Sequence, residues 1–167
     1  GSSISFGSSL DTTYASLSSL KINLEPTLDL LLESLLNPTF PEEEIQRLKK
    51  IWTSNIEESL TTPASMAGRQ VGPLLFGKEH PYGKPSGAGT TNSISNITRE
   101  DIVDIHKELT DPSKATFILA GDIDIKEAKQ LLNKKLRNWK SSSDSNNDID
   151  LFNVKDQKKP RVFLIDK

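Results

Sequence analysis

Residues 37–60 read NPTFPEEEIQRLKKIWTSNIEESL, and this stretch decides the fold of the chain. Pro38 and Pro41 end a preceding helix and favour the first turn of a new one. Three glutamates follow at positions 42–44, where the helix dipole favours negative charge. Apolar residues then recur every three or four positions and predict a single apolar stripe, formed by Ile45, Leu48, Trp52 and Ile56. We therefore predict an amphipathic helix from Pro41 to about Leu60.

Composition excludes several classes of function. The 167 residues suit one domain with a hydrophobic core, and we take 1–167 as a single domain. The net charge of −2, without a basic block, gives little support for nucleic-acid binding. The absence of cysteine excludes disulfides, thiolate zinc sites and cysteine nucleophiles. No apolar run approaches the roughly 20 residues that span a bilayer, so no membrane span is expected.

The first half of the chain predicts a hairpin followed by three helices. Strands are expected at residues 3–7 and 11–20. A leucine-rich helix should follow at 24–36, with Asn23 as its N-cap. After the helix opened by Pro41, Thr62 and Pro63 predict a third helix that ends near Gly77. Residues 78–93 are rich in glycine, proline, serine and threonine and predict a long ordered loop.

The second half predicts two more helices and two strands. Thr98 should cap a helix at 99–109, whose buried face would be Ile102, Ile105 and Leu109. A central strand is expected at 115–120 and a helix from Asp124 to about Trp139. A polar linker follows at 140–153, and a final strand at 160–166. This order predicts an α+β fold, with an antiparallel-type sheet and helices packed on one face.

Chemistry-bearing patterns are scarce. His80 lies in a turn-rich loop and His106 in mid-helix, and we interpret them as a loop-ordering residue and an exposed or boundary residue. No His-x-x-Glu-His pattern, paired histidines or Gly-x-Ser-x-Gly motif occurs in the sequence. The glycine-rich segment 83–89 lacks the pattern of a phosphate loop. From the residues alone we expect no catalytic, cofactor-binding or metal site in this chain.

An ordered series of landmarks nevertheless resembles the M16 (pitrilysin-like) family of zinc metallopeptidases. Each landmark is weak, but all occur in family order and together they cover nearly the whole chain. The likeness is greatest to the non-catalytic C-terminal half of large bacterial members that carry two M16 units. The matching segments are 10–14, 35–40, 43–49, 76–83, 97–101 and 120–122.

This resemblance implies a fold and a test position. The fold would be the M16 peptidase, or LuxS-like metallohydrolase, architecture, with this chain as the first subdomain of an M16 unit. In the family, two histidines and a more distant glutamate bind zinc. The histidine motif would lie upstream of this chain, and the glutamate position falls on Asn55, whose amide is a poor zinc ligand. Glu57 and Glu58 lie nearby, but choosing either shifts the register against the apolar stripe.

The resemblance also implies a function. The parent protein would hydrolyse peptide bonds with zinc held in its catalytic half, while this chain binds no zinc and forms the chamber wall around peptide substrate. Its partner would be a catalytic M16 unit, in the same polypeptide or in another subunit. The alternative is a degenerate unit that serves only in assembly. An independent ligand-binding domain is disfavoured because the final strand would leave an open edge. The resemblance also implies a location in the periplasm or cell envelope of a bacterium.

Overall fold

The computed structural model describes residues 1–84, 89–141 and 160–165. Within these residues the chain forms one two-stranded antiparallel sheet and six α-helices, so the α+β prediction is confirmed. The backbone divides into two compact units. The first unit comprises Gly1–Phe40 and Glu100–Ser145, and the second comprises Pro41–Arg99 and Asn146–Lys167. Most of the predicted linker at 140–153 lies outside the described residues.

A hairpin opens the first unit, as predicted. Strands β1 (Ser3–Ser8) and β2 (Thr13–Ser18) pair antiparallel. Ile4 lies opposite Leu17, and both pack against the hydrophobic core. Ser5 and Ser16 face each other on the opposite side of the hairpin, where their hydroxyls lie 2.8 Å apart. Alternation therefore gives the hairpin a mainly apolar face, which ends in the Ser8–Thr13 hydroxyl pair, and an opposite face that carries Ser5 and Ser16.

The core of the first unit is built on helix α1 (Leu24–Leu36), whose bounds match the prediction. Its buried leucines are Leu28, Leu31 and Leu32, at the spacing of one helix face. The hairpin contacts this cluster with Ile4, Ala15 and Leu17. Helix α6 (Ile125–Lys135) contributes Leu131 and Leu132. Leu136, directly after the helix, packs against the same cluster.

The predicted N-cap at Asn23 is wrong. A short 3-10 turn at Lys21–Asn23 leads directly into α1, and the Asn23 side chain makes no capping hydrogen bond. Its carbonyl oxygen instead accepts a 2.6 Å hydrogen bond from Oγ1 of Thr27, a buried residue. The turn keeps Asn23 out of the extended conformation that an N-cap adopts, so its side chain cannot reach the helix amides.

Lysines of α6 also join α1 through ion pairs. Nζ of Lys134 donates to Glu25 at 2.7 Å, and Nζ of Lys135 lies 3.0 Å from Glu25 and 2.7 Å from Asp29. Hydrogen bonds from Lys134, and then from Lys135, lower the pKa of Glu25 from 4.5 to about 2. The bond to Asp29, and then that to Glu25, raises the pKa of Lys135. Packing and charge thus hold the same two helices together.

Helix α5 (Arg99–Leu109) has the predicted bounds but a different inward face. Ile105 and Leu109 are 49% and 51% exposed, whereas Ile102, Val103 and His106 are half-buried. The histidine turns inward because its ring has a specific partner, described below. The predicted buried face of Ile102, Ile105 and Leu109 is therefore wrong at two of its three positions.

Two predicted strands are absent. Residues 115–120 and the described residues 160–165 belong to no β-ladder, and Ile118, Val162 and Leu164 are at least 90% exposed. A run of apolar residues predicts burial, but a ladder forms only where a second strand supplies hydrogen-bonding partners. The open strand edge expected at 160–166 is not observed, so it no longer counts against an independent ligand-binding domain.

The second unit contains helices α2 (Glu42–Ser59), α3 (Pro63–Phe76) and α4 (Thr91–Asn96). The first two follow the prediction, with Pro63 in the first turn of α3 and Gly77 at its end with φ of 86°. Helix α4 was not predicted. It begins at a capping box in which the Thr90 hydroxyl accepts from Ser93 N and the Ser93 hydroxyl accepts from Thr90 N. Serine replaces the usual glutamate of the motif.

Helix α6 ends earlier than predicted, at Lys135 rather than near Trp139. Its start is as expected, because Oδ1 of Asp124 accepts a 2.8 Å hydrogen bond from Glu127 N. Trp139 is not helical: its indole Nε1 donates to Thr110 O at 2.8 Å, and its ring meets Phe117 edge-on. This tertiary contact fixes the chain after the helix.

Candidate functional site

The candidate site is the stretch of α2 around Asn55, where the M16 resemblance expects a zinc-binding glutamate. Asn55 is exposed and lies in the last turns of the helix. Its neighbour Ile56 is only 2% exposed. Glu57 and Glu58 are exposed as well.

The inward face of α2 differs from the predicted stripe. Ile45 and Ile56 are buried as predicted, but Leu48 and Trp52 are 44% and 42% exposed. The positions between the buried ends that turn inward are Lys49 and Thr53, both half-buried. The two isoleucines agree with the register that places the ligand position at Asn55, while Leu48 and Trp52 do not support it. The assignment of Asn55 stays a prediction.

The inward position of Lys49 has a specific hydrogen-bonding reason. Its ammonium group donates to two backbone carbonyls at the end of α4, Ser95 O at 2.8 Å and Ile97 O at 2.7 Å. A positive charge at a helix C-terminus satisfies carbonyls that lack a partner within the helix and interacts favourably with the helix dipole. Lys49 thus fastens α4 to α2. Sequence periodicity gave no signal for this role, because it counts lysine as an outward-facing residue.

The exposed side of α2 carries a short apolar patch among mostly charged and polar residues. Leu48, Ile51 and Trp52 are each 42–44% exposed, and Asn55 follows at the spacing of the same helix face. We call these four residues the α2 stripe. An amide and three apolar side chains can contact a partner, but they offer neither a proton donor and acceptor pair nor a ligand set for acid–base or metal chemistry.

A zinc site needs several donor side chains close together. Zinc in proteins takes nitrogen, sulfur or carboxylate oxygen donors from three or four side chains. Among residues 1–84, 89–141 and 160–165, no three histidine, aspartate or glutamate side chains lie close enough together to hold a metal ion. Both histidines use a ring nitrogen in contacts within the chain.

His80 orders its loop. The residue is 8% exposed, and its Nδ1 accepts a 3.1 Å hydrogen bond from Tyr82 N at the start of the 3-10 turn Pro81–Gly83. Its ring stacks on Phe76 at 5.3 Å between centroids. The turn is tight, since a Cβ on Gly83 would lie 1.6 Å from Gly77 O. A Cβ on Gly72 would similarly lie 2.5 Å from Tyr82 O.

His106 caps the end of α1. Its Nε2 lies 2.8 Å from Leu35 O, and because a carbonyl oxygen only accepts, this nitrogen carries the proton. The ring also meets Phe40 edge-on at 5.2 Å between centroids. The residue is half-buried, which agrees with the boundary position predicted for it. These contacts connect α5 to the end of α1 and to Phe40.

Asp111 is a buried carboxylate that the sequence analysis did not single out. It is 2% exposed, and its oxygens accept hydrogen bonds from Ser113 N at 2.8 Å, Ser113 Oγ at 2.6 Å and Ser141 Oγ at 2.7 Å. The pattern Asp-Pro-Ser, with a side-chain acceptor two residues before a free amide, is the signal that could have identified it. Its bonds join the turn after α5 to the segment after Trp139.

Comparison with known families agrees with the resemblance. A family model described as the peptidase M16 inactive domain matches residues 96–167. The match covers less than half of the chain, and over those residues it agrees with the predicted resemblance to a non-catalytic M16 domain. No curated protein sequence matches the chain.

A solved structure shares the fold. It is described as a protease from Helicobacter pylori and superposes with a TM-score of 0.75 at 20% sequence identity. The similarity covers 87% of this chain and 35% of the other, so the present chain spans about a third of that protease. At this identity the comparison establishes the architecture.

A helix that crosses a membrane must be long and apolar. In the part of the chain that the structure describes, no helix is long and apolar enough to cross a bilayer.

Proposed function

We propose that this chain is the first subdomain of a non-catalytic M16 unit that helps to enclose peptide substrate beside a catalytic, zinc-bearing unit. The observation that carries the proposal is the match of residues 96–167 to the inactive domain of this peptidase family. The amide at Asn55, a poorer zinc ligand than a carboxylate, supports it. On this proposal the parent protein hydrolyses peptide bonds, and the present chain contributes a wall and a binding surface.

The α2 stripe is the surface that we assign to this role. Leu48, Ile51 and Trp52 offer apolar contacts to an extended, unfolded peptide, and Asn55 can hydrogen-bond its backbone. Substrate and partner are then the peptide and the catalytic M16 unit. A location in the bacterial periplasm or cell envelope is part of the same proposal and rests on family resemblance.

An assembly subunit without peptidase function is the second candidate. The same exposed stripe favours it, because an apolar helix face can equally bind another protein permanently. The parent sequence upstream of Gly1 separates the two candidates. An intact His-x-x-Glu-His motif there favours the peptidase, and its loss favours assembly.

The direct test measures zinc and cleavage with the purified chain. We expect neither stoichiometric zinc nor chelator-sensitive cleavage of an unfolded peptide such as reduced casein. Glu57→Gln and Glu58→Gln variants should behave as the wild-type chain. Stoichiometric zinc in the wild-type chain that either variant loses would place the ligand at that glutamate and overturn the non-catalytic assignment.

A further inference from the structure

We draw no further inference here: the strongest candidate, the exposed apolar α2 stripe of Leu48, Ile51, Trp52 and Asn55, is an unpartnered helix face, and nothing in the described part of the structure shows what covers it beyond the role already proposed.

Discussion

Lys49 lies on the inward side of α2, where the apolar spacing predicted its neighbour Leu48. The ammonium group is stabilised by Ser95 O and Ile97 O, so its partial burial removes no hydrogen bond. Two carbonyls that end α4 gain a donor in return. These hydrogen bonds give a physical reason for the half-buried position of a lysine on α2.

Removing this contact should loosen α4. In Lys49→Met the aliphatic stem remains while both hydrogen bonds are lost, and we expect a loss of about 1.5–3 kcal/mol in the free energy of unfolding. Urea denaturation measures the loss, and hydrogen exchange should locate it at residues 91–97. The matched control is Lys50→Met, at an exposed neighbouring position, which should stay within about 0.5 kcal/mol of wild type. Equal effects of the two substitutions would contradict the role of Lys49.

Asp111 provides the second test at this scale. Asp111→Ala removes three hydrogen bonds to a carboxylate, from Ser113 N, Ser113 Oγ and Ser141 Oγ, and a hydrogen bond to a charged group contributes about 1.5–3 kcal/mol. We expect a destabilisation of about 2 kcal/mol or more by thermal or urea unfolding. Asp104→Ala serves as control, because its exposed pair with Lys107 contributes at most about 0.5 kcal/mol. A variant as stable as Asp104→Ala would show that the buried carboxylate is dispensable.

At the scale of elements, helix bounds could be predicted well from the sequence. Prolines at positions 41 and 63 and the acceptor of Asp124 mark helix starts through local backbone chemistry, which a sequence displays directly. The strand at 115–120 was predicted wrongly because a ladder depends on a second segment. The predictions of which residues face inward on α2 and α5 were partly wrong. Lys49 and His106 make hydrogen bonds to distant carbonyls, which no local pattern reveals. At the candidate site only the position of Asn55 on the helix followed from sequence.

The inward face of α2 can be tested by truncation. Ile56→Ala, at 2% exposure, should cost about 2–5 kcal/mol because it opens a cavity. Leu48→Ala, at 44% exposure, should cost less than about 1.5 kcal/mol, since less apolar surface returns to water. Urea denaturation of both variants gives the comparison. A larger loss of unfolding free energy for Leu48→Ala would support the original prediction that Leu48 belongs to the buried face of α2.

The α1–α6 ion pairs predict a response to acid. Glu25 has a pKa of about 2 in the folded chain against 4.5 ordinarily, so the folded state binds its proton less readily. The associated stability is fully present above about pH 4.5 and is lost as the pH falls towards 2. Urea midpoints measured between pH 6 and 2 should fall more steeply for wild type than for Glu25→Gln. Parallel curves would contradict the contribution of the pair, and added salt should reduce the difference because the groups are exposed.

At the scale of the whole molecule, the chain spans about a third of a protease with the same architecture. The model of the inactive M16 domain matches residues 96–167, and the predicted zinc-ligand position, Asn55, carries an amide. Composition could exclude nucleic-acid and thiol chemistry, but the proposed function depends on a neighbouring unit and would leave no motif in this chain. The ordered landmarks were therefore more informative than any single residue.

Two glycines of the second unit have a consequence for tracing distant relatives. Gly72 and Gly83 leave no room for a methyl group beside Tyr82 O and Gly77 O, so selection at both positions acts on size and not on reactivity. A lineage can lose zinc and every ligand while these positions stay fixed, since any replacement distorts the turn. Across diverged homologues, this pair should outlast the catalytic signature as a marker of common descent.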